Sequence, residues 1–336
     1  MGRKKKNNNK IKELLIAVVI IAILILAEKT GVLKYIDEVI ANTGIAEMVD
    51  TSEKSNISTI AEVKKYKDII SSASENINID NNKLNILFFD VGQADSQLII
   101  CNGKVMLIDA GNSKDGEKIV NGIKALGITK LDYVIGTHVH EDHIGGMSYI
   151  IDSFDIGAFY LPYNTTTTSS YYKKLLNSIS NKGLEINEAV IGEKIELGAS
   201  ICEIMSVDNN EPENANLASI VIQLSYGTQK YLFMGDAETE NEKARDWEDI
   251  DVLKVGHHGS NTSSSEKFLK QVLPEIAIIS VGENNSYGLP KDKIIDRFSK
   301  MGTIICRTDE DGTIQIVSDG NTNEIIKIEL SFDGNE

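Results

Sequence analysis

Cysteine is scarce in this chain, and the few cysteines are far apart. Among 336 residues there are three, Cys101, Cys202 and Cys306, and none forms a CxxC pair. Their spacing excludes a cysteine-rich zinc site and indicates no disulfide framework. Each lies in an apolar, strand-like run, which favours small buried side chains over reactive thiols.

Positively charged residues are also scarce relative to negatively charged ones. Lysine and arginine total 34 against 50 aspartates and glutamates, so the formal net charge is -16. Such an acidic chain is poorly suited to holding nucleic acid by broad electrostatic attraction, because phosphate backbones are bound by Lys and Arg. A polyanionic substrate is still compatible with it, since a bound metal can supply positive charge locally.

Long apolar runs are limited to residues 14–27, which follow a lysine- and arginine-rich segment, residues 1–12, that has no acidic residue. This run is shorter than the about 20 residues that span a bilayer, and it matches the apolar part of a signal peptide. No small-residue cleavage pattern follows it, however, and residues 31–33 can extend it past two charged side chains that reach the interface. We therefore predict a basic tail over residues 1–11 and a membrane anchor over residues 12–33, with a cleaved signal peptide as the alternative.

The basic tail also predicts an orientation. Positive charge stays on the cytoplasmic side, so the chain after the apolar run is expected outside the cytoplasm. This makes a single-pass protein of the cell membrane, or a secreted protein if the signal peptide is cleaved. Residues 34–83 are rich in Asn, Ser, Lys and Glu and are expected to form a polar stalk or linker.

From residue 84 the pattern changes to short apolar strands with helices between them. This order predicts an α/β (α+β) protein in which helices cover two packed sheets, and we expect one domain over residues 84–332. The predicted strands are residues 84–89, 98–100, 104–108, 133–137, 200–205, 219–224, 231–234, 252–255, 276–281, 303–306 and 313–317, and the predicted helices are residues 117–126, 147–153, 169–181, 264–272 and 291–301.

The chain has only five histidines, and three of them, His138, His140 and His143, fall within six residues at the end of an apolar strand. Side chains at alternate positions point the same way, so His138 and His140 can bind one ion together. Asp142 and His143 follow after a turn and can reach a second ion a few ångströms away. The cluster therefore predicts a metal site.

Other strand ends carry the residues that would complete such a site. Asp109, Asp236 and the adjacent pair His257 and His258 each come directly after an apolar run. Strand ends that point to one edge bring their side chains together there. A carboxylate at Asp236 can bridge two ions, so the pattern favours a dinuclear centre.

The segment H-V-H-E-D-H at residues 138–143 matches the H-x-H-x-D-H signature of the metallo-β-lactamase superfamily, which the chain resembles. More narrowly, it resembles the C-terminal hydrolase domain of ComEC, the competence DNA-uptake channel, and the stand-alone relatives of that domain. The resemblance covers about residues 84–318 and implies the four-layer αββα sandwich, with the site at one edge between two sheets. It is also carried by residues 88–95, 107–111, 233–238, 253–260, 285–288 and 308–312.

The sequence departs from the family pattern in one respect that matters for metal. Most of the superfamily supplies another histidine before the bridging aspartate, but this chain has none between residues 143 and 257, and Asn216 lies in the corresponding stretch. One ion is then expected to have fewer protein ligands. A shell richer in oxygen suits Mn²⁺ as well as Zn²⁺, so two divalent ions of either kind are expected.

The resemblance and the spacing together predict the roles of the ligands. A water between the ions, with its pKa lowered towards neutrality, would attack the substrate. Asp142 is expected to be both ligand and catalytic residue. The expected metal ligands are His138, His140, Asp142, His143, Asp236 and His258.

The remaining site residues are expected to act around these ligands. His257 is expected to face the substrate as a catalytic residue, although the roles of the two adjacent histidines can be exchanged. Asp109 and Asn216 are expected to orient ligands from behind. Lys254 and Ser260 are expected to contact an anionic substrate.

Two metals spaced for in-line displacement suit a phosphodiester, so a phosphodiesterase or nuclease outside the membrane is the first hypothesis. Its substrate would be an anionic phosphodiester or another small molecule, and nucleic acid is compatible with it. One alternative is an amide or ester hydrolase, including one that opens β-lactams. The other is a metal-binding module without catalysis, which would serve as a partner at the cell surface or in an uptake complex.

Overall fold

The computed structural model describes residues 77–162, 167–210 and 212–328. Within them, apolar runs form two sheets, of eight and seven strands. The strands are β1 (Leu84–Phe88), β2 (Gln97–Cys101), β3 (Lys104–Ile108), β4 (Lys130–Ile135), β5 (Asp155–Leu161), β6 (Ile186–Glu188), β7 (Lys194–Leu197), β8 (Ser200–Ser206), β9 (Val221–Tyr226), β10 (Gln229–Phe233), β11 (Val252–Lys254), β12 (Ile276–Ile279), β13 (Ile304–Arg307), β14 (Thr313–Ser318) and β15 (Asn323–Ile328).

Helices occupy the connections between these strands. Most of them begin after a strand has ended and bury one apolar side, as connections between parallel strands do. The helices are α1 (Gly116–Ala125), α2 (Glu141–Ile144), α3 (Met147–Ser153), α4 (Ser170–Lys182), α5 (Thr239–Lys243), α6 (Glu266–Val272), α7 (Asp292–Met301) and α8 (Thr308–Asp311), and 3-10 turns lie at Ala215–Ala218 and Gly256–Gly259.

The order of the strands shows that each sheet mixes parallel and antiparallel pairs. The first sheet runs β15-β14-β1-β2-β3-β4-β5-β6, and the second runs β13-β12-β11-β10-β9-β8-β7. In the first sheet β3 to β6 are parallel neighbours, and in the second β10 to β13 are. The carboxyl ends of parallel strands share an edge, where loops can bring side chains together.

Apolar side chains form a layer between the sheets and one on each outer face. Alternate residues of a strand point to opposite faces, so in β1 Ile86 and Phe88 pack towards the second sheet and Leu87 packs towards the helices. Phe88 stacks on Phe233 of β10, with ring centroids 6.2 Å apart. Trp247 belongs to the cluster on the outer face of the second sheet. The resulting layers, helix–sheet–sheet–helix, are those of the predicted αββα sandwich.

Every predicted strand and helix has a counterpart, but strands β5, β6, β7 and β15 were not predicted from sequence. Strand β5 contains Gly157, which by its type argues against a strand interior. The structure shows why glycine is there: a Cβ at Gly157 would collide with the backbone carbonyl of Asp132 in the neighbouring strand.

The predicted tail, anchor and most of the stalk fall in residues 1–76, outside the described residues. Among the residues that are described, no helix is both long enough and apolar enough to cross a membrane. The anchor and the outward orientation therefore stay predictions.

Candidate metal centre

Four strand ends meet at one edge of the sandwich. Strands β3 and β4 of the first sheet are followed by Asp109 and by the H-x-H-x-D-H segment, and β10 and β11 of the second sheet are followed by Asp236 and by the pair His257 and His258. The loops come into direct contact, because the Ile220 amide before β9 donates to the Thr137 carbonyl across the two sheets, at 2.9 Å. The predicted convergence of these side chains is present.

The histidine motif begins as extended backbone and ends as a single helical turn. His138 Nε2 lies 3.0 Å from His140 Nδ1, so the two alternate side chains point to the same place. Helix α2 then starts at Glu141 and turns Asp142 and His143 back towards them. The chain leaves through Gly145, where a Cβ would collide with the Glu141 carbonyl and with a backbone amide of the facing loop. Only glycine permits so close an exit.

Asp109 lies behind the motif and holds it in shape. Its carboxylate accepts two hydrogen bonds from Thr137, from the amide and from Oγ1, both at 2.8 Å. The same carboxylate lies 2.7 Å from His143 Nδ1, and both side chains are fully buried. With its Nδ1 engaged, His143 turns Nε2 towards the site, which is the arrangement of a metal-ligand histidine with an orienting carboxylate.

One compact group of ligand atoms comes from both sheets. The members, here called the inner set, each offer one atom, and these atoms all lie within 4.8 Å of one another. His143 Nε2 is 3.2 Å from Asp236 Oδ1, and His258 Nε2 is 3.6 Å from that same oxygen and 3.4 Å from Asp142 Oδ2. The inner set consists of Asp142, His143, Asp236 and His258.

Several ligand atoms of the inner set are buried without a hydrogen bond. His143 Nε2, His258 Nε2 and Asp236 Oδ1 are buried, and within the described residues none of them has a hydrogen-bond partner. Buried polar atoms without partners are rare in folded proteins and each requires an explanation. Two imidazole nitrogens and carboxylate oxygens at these separations fit the ligand shell of a divalent metal ion.

The pKa values of the inner set reflect mutual attraction between its members. Burial lowers the pKa of His258, but the Asp236 and Asp95 carboxylates outweigh burial and raise that pKa to about 9. Burial also acts on His143, whose pKa Asp236 and Asp109 nevertheless hold well above its usual value. Burial would raise the pKa of Asp236, yet the His143 and His258 imidazoles hold it well below its ordinary range. In the metal-free protein the carboxylates therefore favour protonated imidazoles, and a metal ion that binds here would displace those protons.

A second group of imidazoles lies on the other side of Asp236. His138 Nε2 is 3.9 Å and His257 Nε2 is 3.7 Å from Asp236 Oδ2. His140 adjoins His138 and is exposed to solvent. We call His138, His140 and His257 the outer set. Burial and the neighbouring His143 charge hold the pKa of His138 well below its usual value, so this imidazole is kept neutral and ready to bind metal.

The adjacent histidines are separated by an unusual backbone. His257 and His258 both have positive φ, 49° and 51°, a left-handed conformation that costs energy in residues other than glycine. As a result their ring centroids are 6.3 Å apart, and each ring goes to a different set. His258 Nδ1 lies 2.8 Å from the buried carbonyl of Ser280, which aims its Nε2 at Asp142.

The position of Lys254 differs from the expectation that it contacts the substrate. Its side chain is fully buried, and Nζ lies 2.7 Å from Asp95 Oδ2 and donates to the Val255 carbonyl at 3.0 Å. Asp95 Oδ1 in turn lies 3.5 Å from His258 Nδ1. Strand β11 ends at Lys254, beneath the inner set. Because the side chain is buried and paired with Asp95, the ammonium group is a counterion inside the protein and cannot reach a ligand in the pocket.

Ser260 and Asn216 both lie near His257. Ser260 Oγ accepts hydrogen bonds from Thr262, from the amide at 3.3 Å and from Oγ1 at 3.1 Å, and Ser260 does not line the pocket described next. It supports the loop behind His257, in contrast to its expected contact with substrate. Asn216 lines the pocket, and its Nδ2 donates to Glu238 Oε1 at 3.0 Å.

An open pocket of about 330 Å³ lies above the two sets. Four of its lining residues were not predicted as site residues, and neither were Asp95 and Glu238 beneath it. Asp95 and Glu238 lie within the family-like segments at residues 88–95 and 233–238, so those motifs were the signal for them. The unpredicted lining residues are Gln93, Glu141, Tyr287 and Leu289.

Comparisons with known proteins identify similar sequences. Residues 89–283 match the family model described as the metallo-β-lactamase superfamily. ComE operon protein 3 of Bacillus subtilis (strain 168) is 31% identical over 249 residues, which are 67% of this chain and 32% of that protein. Recombination protein 2 of Haemophilus influenzae is 32% identical over 234 residues, 68% of this chain and 28% of that protein.

The chain therefore spans about a third or less of the length of these curated relatives. Among solved structures, the metallo-β-lactamase fold protein YhfI from Bacillus subtilis is 10% identical, with a TM-score of 0.49 over 69% of this chain and 99% of that one.

Proposed function

The chain belongs to the metallo-β-lactamase superfamily and is a metallo-hydrolase of that kind, and we propose that it cleaves phosphodiesters. The predicted family is thus confirmed, as is the predicted likeness to competence proteins. The substrate, the number of ions and the place of action are parts of the proposal.

The observation that carries the proposal is the position of Asp236. Its Oδ1 faces the inner set, at 3.2 Å from His143 Nε2, and its Oδ2 faces the outer set, at 3.7 Å from His257 Nε2. A carboxylate whose two oxygens address different imidazole groups suits two divalent ions, Zn²⁺ or Mn²⁺. Such a pair lowers the pKa of a bound water and stabilises charge on a phosphoryl group when bound.

Side chains around this pair accept a proton, orient the metal ligands and compensate charge. Asp142 lines the pocket with a side chain that is 30% exposed, so its carboxylate can accept a proton from an attacking water. Asp109 and the Ser280 carbonyl hold the tautomers of His143 and His258. Lys254 compensates Asp95 beneath them, and so limits the negative charge under the site.

A phosphodiester of some length is favoured by the surface next to the pocket. A second open groove, of about 520 Å³, shares Gln93, Glu141, Asp142 and Tyr287 with the pocket and continues to Lys114. Tyr287 is 69% exposed, and exposed aromatic rings provide surfaces on which bases stack. Together with the likeness to a DNA-uptake domain, this supports single-stranded nucleic acid as the substrate class.

The proposed place of action rests on the sequence of the N-terminal residues. We propose that residues 12–33 anchor the protein in the cell membrane, or are cleaved as a signal peptide, and that the hydrolase domain lies outside the cytoplasm. Protease treatment of intact cells should then remove an anchored domain, whereas a cleaved domain should be found in the medium. Full protection in intact cells, with digestion after lysis, would show that the domain is inside.

The substrate is tested on the purified protein loaded with Mn²⁺ or Zn²⁺. We expect cleavage of bis(p-nitrophenyl) phosphate and of single-stranded DNA, and no opening of a chromogenic β-lactam. Turnover of the lactam alone would replace the proposal with amide hydrolysis. Bound metal without turnover of any of the three would favour the third hypothesis, a metal-binding module without catalysis.

A further inference from the structure

The outer set poses a problem of ligand number. His138 and His140 supply two imidazoles, and the sequence between residues 143 and 257 contains no histidine that could supply a third. The fully buried Asp236 is shared with the inner set. His138, His140 and the shared Asp236 then make three protein ligands, and a ligand that is not shared would complete a four-coordinate shell near Asp236 Oδ2.

His257 is the side chain that lies in this position. Its Nε2 is 3.7 Å from Asp236 Oδ2, similar to the 3.9 Å between that oxygen and His138 Nε2. Two ligand atoms of one ion with bonds of about 2.1 Å lie roughly 3–4 Å apart, so His138 and His257 can each share an ion with Asp236 Oδ2. The left-handed backbone at His257, with φ 49°, turns the ring away from the inner set and towards this point.

The other ring nitrogen of His257, Nδ1, lies next to two polar side chains. Nδ1 lies 2.9 Å from Thr262 Oγ1 and 3.3 Å from Glu238 Oε1. Glu238 is itself buried and held, because Asn216 Nδ2 donates to its Oε1 and its amide donates to Asn241 Oδ1, both at 3.0 Å. The carboxylate beside Nδ1 therefore has a defined position.

The contacts of Nδ1 determine which nitrogen of the His257 ring carries the proton. Thr262 Oγ1 donates to Ser260 Oγ and can therefore accept from Nδ1–H, which leaves the lone pair of the ring on Nε2, and the nearby Glu238 carboxylate favours the same tautomer. An imidazole that protonates a leaving group needs its proton on the nitrogen facing the substrate. The contacts of His257 therefore favour a ligand over a proton donor.

We infer that His257 is the third imidazole ligand of the outer ion, together with His138, His140 and Asp236, and that Glu238 is its positioning residue. This inference rests on the proposed pair of ions. It assigns the two adjacent histidines to different ions: His258 serves the inner set and His257 the outer set. The expected catalytic role of His257 is replaced by metal binding.

Cobalt binding provides a test that does not depend on turnover. The metal-free full-length protein is titrated with Co²⁺, and the visible absorption and the number of bound equivalents are recorded. We expect two equivalents in the unaltered protein. In His257→Ala the first equivalent should bind as before, and the second should bind at least about 10-fold more weakly with an altered spectrum, because a ligand is lost.

Glu238→Gln provides a second variant that retains the size of the side chain. It should also weaken the second equivalent, by about 10-fold or more, since the orienting charge is removed. Glu240→Gln is the matched control: Glu240 lies two residues further on, in the helix that Glu238 caps, and is exposed, so binding of both equivalents should be unchanged.

The outcomes separate the inference from the proposed function. If the unaltered protein binds two equivalents and His257→Ala binds both with the same affinity and spectrum, His257 is not a ligand. A loss of cleavage in that variant would then restore its catalytic role. If the unaltered protein binds no Co²⁺ and cleaves nothing, the proposed function itself is wrong.

Discussion

The inner and outer sets share Asp236 but differ in how the protein supports them. In the inner set His143 and His258 are almost completely buried, and each has its Nδ1 held by a buried acceptor, Asp109 or the Ser280 carbonyl. In the outer set His138 is equally buried, but His140 is exposed and the His257 side chain is 25% exposed, whereas the inner set has one partly exposed member, Asp142. Ligands held in place before binding lose less conformational freedom, so the inner set should bind its ion more tightly.

This difference indicates a division of labour. A buried ion with oriented ligands is suited to be a permanent part of the site. An ion bordered by solvent and by the pocket is suited to contact the substrate and to exchange. The expected effects decrease in size from the shared residue, through the support of the inner set, to the loop behind the outer set.

The largest effect is expected at the shared residue. Asp236→Asn should remove both ions, because the amide keeps the size of the side chain but not the charge that faces both sets. Cleavage of bis(p-nitrophenyl) phosphate should fall by more than about 100-fold, since even residues that only orient ligands are worth about 10–100-fold. Metal content after gel filtration measures the loss of ions. If one equivalent remains, Asp236 belongs to a single ion and the comparison of two sets fails.

The counterion beneath the inner set should matter chiefly for stability. Lys254→Met leaves the Asp95 carboxylate buried without compensation, which should lower the free energy of unfolding by about 3–5 kcal/mol. Urea unfolding of the metal-free protein measures it. The double variant with Asp95→Asn should recover part of the loss. Unchanged stability together with a raised KM would instead support the earlier expectation that Lys254 meets the substrate.

A smaller and more selective effect is expected from Asp109. Asp109→Asn removes the carboxylate behind His143 and should weaken the first Co²⁺ equivalent by about 10–100-fold, while the second is affected less. Chelator competition measures the two affinities separately. Equal weakening of both would show that Asp109 supports the whole histidine segment through Thr137, and the contrast between the sets would be reduced.

The smallest effect is expected at Ser260. Its hydroxyl contacts Thr262 and does not line the pocket, so Ser260→Ala should change the KM for a phosphodiester by less than about twofold, as for loss of one partly exposed hydrogen bond. A steady-state assay is sufficient. A large rise in KM alone, with metal binding unchanged, would restore Ser260 as a substrate contact.

The residues that could be predicted from sequence are those whose role depends on local order along the chain. The spacing of His138, His140, Asp142 and His143 at a strand end indicated a metal site, and Asp236 was expected as a bridge because it follows another apolar run. The strand and helix pattern indicated two sheets covered by helices. Strand β5 was missed because Gly157 is explained only by the closeness of its neighbour, β4.

Other properties depend on contacts between segments far apart in the chain. The sequence around Lys254 does not distinguish a solvated from a buried lysine. Lys254 is an internal counterion because it pairs with Asp95, which lies 159 positions earlier. His257 and His258 are neighbours in sequence, and only the left-handed backbone sends their rings to different sets. Sequence by itself therefore determined which ligand types are present and the family. Tertiary structure decided which ion each can serve, because the direction of a side chain is set by backbone dihedral angles and by packing.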